Sequence, residues 1–160
     1  MPFADFANNY SSVYICRVLS AKEGWSSAAA TGAWSVEDDT AGGCANFPTF
    51  AKNPQYRLTV TGAPADVLIT MQQASGAGAE GRCIGFAGFQ NGGERVARAR
   101  NKELSSGSYS WNREVHCDAT LAPGAYTIVP TTFNAYEDGR FCLKVWFKGD
   151  EGGGVELEAL

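Results

Sequence analysis

"RFCLKVWF", residues 140–147, sets Phe141, Leu143, Val145 and Phe147 on one side of an extended chain and Cys142, Lys144 and Trp146 on the other. Alternation at period 2 belongs to a strand with one buried and one wet face. "QYRLTV", residues 55–60, repeats the pattern. "LAPGAY" (121–126) and "YEDGRF" (136–141) supply turns between such runs, since Pro fixes φ and Gly admits φ > 0.

Extended along the chain, this reading predicts strands near 13–19, 32–36, 55–61, 67–72, 83–89, 95–102, 108–115, 126–129 and 140–147. Nineteen Gly and six Pro in 160 residues agree with many turns and short elements. Eight or so short strands with no long helix mean an all-β protein, an antiparallel β-sandwich of one domain. At the N-terminal end Phe3, Phe6, Ala7 and Tyr10 recur at helical spacing, a short amphipathic helix whose aromatic face (Phe3, Phe6, Tyr10) needs a surface to cover. "KGDEGGGVELEAL", from 148, begins Gly-rich and acidic and reads as an exposed linker. The expected organisation is a terminal helix over 1–11, a sandwich over 12–149 and a linker or tail over 150–160.

Net charge is −4, from 13 basic and 17 acidic residues, which argues against a nucleic-acid binder. Five cysteines, at 16, 44, 83, 117 and 142, form an odd set without C-x-x-C spacing. That fits neither a disulfide framework nor a zinc ribbon, and points to reduced thiols in a cytoplasmic protein. The start "MPFADFANNYSS" lacks the basic and apolar regions of a secretory signal.

"GAW" (32–34), "AGGC" (41–44), Asn46 with Phe47, and "NPQY" (53–56) fall in an order that resembles the β-sandwich following the protease core in calpains, calpain domain III. "IGFAGF" (84–89), "ARAR" (97–100), "NREV" (112–115), "LAPGAYTIVPTTF" (121–133) and "DGRFCLKVWF" (138–147) continue the series. "MPFADF" resembles the last helix of the calpain protease core. The resemblance implies an eight-stranded, C2-like antiparallel sandwich with no catalytic residues of its own. Its implied task is to brace a cysteine-protease core and other domains of the same polypeptide, and to relay calcium or phospholipid signals. Two stretches depart from calcium-regulated calpains. Their long acidic loop is here "TGAPAD" (61–66), with one carboxylate, and their basic stretch is here "ASGAGAEGR" (74–82).

Cys44 follows two glycines, so it is either a nucleophile in a tight turn or a packed thiol. A thiol protease needs an activating histidine, and the one histidine, His116, is followed by Cys117, which alternates to the other strand face. Cys44 is therefore read as packed, and an autonomous thiol enzyme is rejected. Calcium takes six to eight oxygens from converging loops, and Glu37, Asp38 and Asp39 with Glu137 and Asp138 are the candidates, solvated turn residues being the plainer reading. Arg95, Arg98, Arg100 and Lys102 form a basic strand that would meet an acidic phospholipid surface and associate the parent with a membrane, or else contact a neighbouring domain. Trp25, Trp34, Trp111 and Trp146 are assigned to core bulk rather than to sugar stacking.

Overall fold

The computed structural model describes residues 2–11, 18–74, 81–148 and 153–160. A helix, α1 (Phe3–Asn9), precedes nine strands: β1 (Ser26–Trp34), β2 (Tyr56–Thr61), β3 (Ala65–Gln73), β4 (Ile84–Gln90), β5 (Leu104–Ser105), β6 (Glu114–Leu121), β7 (Gly124–Thr132), β8 (Gly139–Lys148) and β9 (Gly154–Ala159). All pairings are antiparallel, in a four-stranded sheet ordered β1-β8-β3-β6 and a five-stranded sheet ordered β5-β4-β7-β2-β9. The two sheets make the expected sandwich.

The alternation of 140–147 is realised as read. Phe141, Leu143 and Val145 are buried between the sheets with Ile69 and Met71 of β3 and with Leu58, Ile84 and Ile128 of the other sheet. Trp34 ends β1 inside this core, its ring 4.6 Å from that of Phe141. Its indole N–H would cost free energy if left unpaired there, and it donates to the Pro130 carbonyl at 3.1 Å.

Four expectations are revised. The run 95–102 is no strand: its backbone bends, and the sheet edge beyond it holds only the two residues of β5. The strand expected over 108–115 is reduced to one bridge, Ser110 with Ile84, and β6 begins at Glu114. There Val115, Cys117, Ala119 and Leu121 face the core, a mixture too small and polar to show a hydrophobic period. β1 starts at Ser26, well before 32, because "SSAAAT" carries no alternation and takes its extended form from pairing with β8. The tail is a sandwich strand: β9 pairs with β2 from Tyr56↔Ala159 to Thr61↔Gly154, Val155 is buried, and Arg57 bonds Glu158 at 2.6 Å. The described residues hold nine strands where about eight were expected, the short β5 and β9 being the additions. The strand expected over 13–19 falls mostly outside the described residues.

The two sheets are covered unequally. β7 is buried on both faces, with Val129 packed under Phe50, Phe89 and Val96 in a second small core. Phe50 opens a single 3-10 turn (Phe50–Lys52) and Val96 lies in an irregular loop, and two buried amides hold them. Asn53 accepts from Gly42 N at 3.1 Å and donates to Gly43 O at 2.8 Å and Phe50 O at 2.9 Å. Gln55 accepts from Val96 N at 2.7 Å and donates to Val96 O at 3.0 Å and Ala51 O at 3.1 Å. On the four-stranded sheet the outward residues Thr70, His116, Lys144 and Trp146 remain half-buried or exposed.

Two predictions follow from this frame. Asn53→Ala strands two buried backbone groups, Gly42 N and Gly43 O, while Phe50 O keeps its bond from the residue 53 amide; the change is expected to cost about 3 kcal/mol in a urea melt, whereas Cys44→Ala loses only a small buried sulfur, about 1 kcal/mol. The second concerns Tyr109, whose hydroxyl lies 2.7 Å from Thr131 Oγ1 and whose pKa burial pushes up to about 12. The unfolded phenol ionises near its ordinary value of about 10 while the folded one does not. Its stabilising contribution is therefore whole below pH 10 and is lost as pH rises toward about 12. Melts between these pH values should fall less steeply for Tyr109→Phe than for the parent chain.

Candidate functional site

Cys44 sits in the turn between β1 and β2, and close packing explains the glycines before it. Gly43 has φ 74°, and a Cβ there would lie 2.6 Å from Ala135 N. A Cβ at Gly42 would meet the Thr49 carbonyl. The Cys44 amide donates to Phe133 O at 3.3 Å, and its side chain is buried. His116 stands instead on the outward face of β6, in the other sheet. The Gly-rich turn thus has neither a base for a thiol nor open space for a ligand. Cys83, near β4, is likewise quiet: burial, reinforced by the Glu137 carboxylate, pushes its thiol pKa up.

The two acidic groups do converge. β1 and β8 pair at Trp34↔Gly139, which brings the turn holding Glu37, Asp38 and Asp39 beside Glu137 and Asp138. Three of the five carboxylates are engaged elsewhere. Asp138 accepts from Val36 N at 2.7 Å, and Asp39 pairs with Lys52 at 2.7 Å in an exposed bridge. Asn134 donates to Glu137 Oε1 at 3.2 Å, while Glu137 Oε2 is buried without a partner. Among the described residues no three His, Cys, Asp or Glu side chains are placed to hold a metal ion.

The basic residues separate. Arg95, though exposed, donates to Leu160 O at 2.9 Å and Ala51 O at 3.3 Å, and so ties its loop to the end of β9. Lys102 donates to Ser105 Oγ at 3.5 Å. Arg98 and Arg100 stay exposed beside Phe47 and Pro48, lining a groove of about 510 Å³. No carboxylate among the described residues pairs with them. Without a strand, the four bases do not share one face.

A larger groove, of about 820 Å³, crosses the outward face of the four-stranded sheet. Register sets its rows: Cys142, Gln72 and Glu114; then Lys144, Thr70 and His116; then Trp146, Leu68 and Asp118. The Lys144 ammonium lies 3.6 Å from the centre of the Trp146 ring. Val18 and Leu19 reach into this groove from the N-terminal side. The period-2 reading had set Cys142, Lys144 and Trp146 on a wet face, but pairing with 66–72 and 114–118 could not be read from the sequence. Of the tryptophans only Trp34 is fully buried; Trp25 and Trp146 are half-buried and Trp111 is 67% exposed. Assigning all four to core bulk is therefore corrected.

α1 presents its stripe to solvent. No residue of it is buried, Phe3 is 82% exposed, and the rings of Phe6 and Tyr10 stack at 4.9 Å. No helix among the described residues is long and apolar enough to cross a membrane.

Residues 30–146 match the family model of calpain large subunit, domain III. The calpain-type cysteine protease ADL1 of Oryza sativa subsp. japonica is 32% identical over 184 aligned positions, taking in all of this chain and 8% of the rice protein. Calpain-8 of Rattus norvegicus is 31% identical and calpain-5 of Mus musculus 33%, each alignment covering 91% of this chain and 26% of the relative. The chain thus spans a small part of the length of these relatives. It belongs to the calpain large-subunit domain III family and corresponds to that domain, not to the catalytic one.

Proposed function

We propose that this sandwich braces and regulates the protease core of a calpain-like cysteine protease in a reducing, cytoplasmic setting. The observation that carries the reading is the aromatic stripe of α1, no residue of which is buried, with Phe3 and Tyr10 exposed and Phe6 stacked only on Tyr10 among the described residues. A seven-residue helix is marginal in water without tertiary packing. A neighbouring domain would supply that packing, and the relatives are proteases of which this chain matches a fraction.

The isolated chain should not cleave casein or a fluorogenic peptide, with or without calcium; turnover abolished by Cys44→Ala would overturn this. Deleting residues 1–11 from it should cost about 1 kcal/mol or less, since few contacts cross that boundary. In the full-length polypeptide, Phe3→Ala, Phe6→Ala and Tyr10→Ala together should lower the melting midpoint of the protease core by about 4 °C. An unchanged midpoint would sink the bracing role.

A second reading is favoured by Arg98 and Arg100, which stand beside Phe47 and Pro48 in one groove. Two cations next to apolar side chains suit an anionic lipid surface. At ~1 kcal/mol per charge, Arg98→Glu with Arg100→Glu should weaken binding to phosphatidylserine vesicles roughly thirtyfold or more. Equal sedimentation of both forms would remove this reading.

A further inference from the structure

We infer that Cys44 and Cys83 form a modification site, a pair of thiols that a peroxide joins in a disulfide, pinning the loop over the five-stranded sheet to the start of β4. The first argument is that both flank one residue. Phe133, just past β7, donates from its N–H to the Cys83 carbonyl at 2.7 Å and accepts at its own carbonyl from the Cys44 N–H at 3.3 Å. Far apart in sequence, the two cysteines are held by backbone bonds to the same partner.

The second argument is that both side chains belong to one small space. Along β4, Ile84 and Phe86 face the core between the sheets while Ala87 and Phe89 face outward, so alternation sets Cys83 on the outer face. Tyr109 lies over that face: a Cβ at Gly85 would be 3.0 Å from its ring, which stands 5.4 Å from the ring of Phe133. The loop that carries Cys44 covers the same face, through Phe50 packed on Val129. Both thiols stand within electrostatic reach of the Tyr109 hydroxyl, which is itself held by Thr131. The other described cysteines have no such relation. Cys117 faces the core from β6 and Cys142 faces outward from β8, with β3 between them.

The third argument is chemical. Cys44 is 3% exposed and Cys83 9%, which shuts out bulky reagents, but hydrogen peroxide is small enough to enter during local opening. One sulfur attacks the O–O bond and becomes a sulfenic acid, with release of water. The second sulfur then attacks the first. The S–S bond forms as the S–O bond breaks, and the hydroxyl leaves as water with the second thiol's proton. Two electrons pass from the thiols to the peroxide, and two waters are the only other products. The Cys83 thiol, held protonated by burial and then by Glu137, is slow alone; a sulfenic acid fixed beside it raises the effective concentration of its target. In a reducing compartment such a bond is transient, since glutathione-type thiols reverse it.

The test treats the full-length polypeptide with hydrogen peroxide, blocks remaining thiols with iodoacetamide in denaturant and digests with trypsin. Segments 23–52 and 83–95, bounded by Lys22, Lys52, Arg82 and Arg95, should appear as one species about 2 Da lighter than their sum, and dithiothreitol should separate them. Cys44→Ser and, independently, Cys83→Ser should abolish the link, while Cys142→Ser should leave it. In the native protein, tryptic cleavage after Lys52 should slow at least about fivefold once the bond has formed, because the covering loop then opens only together with β4. Both thiols surviving peroxide, oxidation to sulfinic acid without a link, or linkage of either to another cysteine would overturn the inference. A link with unchanged cleavage after Lys52 would overturn the pinning.

Discussion

An irregular loop can lie over a sheet only if its backbone N–H and carbonyl groups find partners there. In this sandwich two buried amide side chains provide them. Asn53 closes the turn that holds Gly42, Gly43 and Phe50, and Gln55 grips both backbone groups of Val96. Phe50 and Val96 then form a second apolar layer over Val129. The double burial of β7 follows from those bonds, and with it the contrast between a sheet sealed on both faces and one whose outer face the described residues leave partly open.

That contrast orders the functional surfaces. The sealed side carries its chemistry on loop edges, where Arg98 and Arg100 project beside Phe47. The open side carries a broad groove crossed by rows from three strands. Cys142 and His116 both line the open groove, but from β8 and β6, with β3 between them. Cys44 serves the first layer as a small buried wedge beneath a turn that admits no Cβ at position 42 or 43, so the motif that looks most like chemistry in the sequence is framework.

The sandwich was legible because its long strands alternate. Residues 55–61, 67–72, 83–89 and 140–147 appear within a few residues of their expected places. What was illegible has physical causes. β1 is built of small residues whose strand character comes from its partner rather than from any pattern of its own. β6 mixes Cys and Ala on its inner face, too weak a signal to outbid the aromatic run before it. β9 did alternate, in "VELEAL", but a glycine run masked it.

Charge was the least legible property, because spacing does not say where a flexible side chain finds a partner. Arg95 and Arg98 are three residues apart in one basic run, yet Arg95 bonds two carbonyls while Arg98 faces solvent. The acidic turns behave alike: convergence of the two groups at one end of the sandwich was the condition set for a calcium site, and it is met. Convergence alone does not make a site. Asp138 is committed to a backbone amide and Asp39 to Lys52, so a cation would have to displace bonds already made. A carboxylate that caps a turn has its affinity spent on the fold.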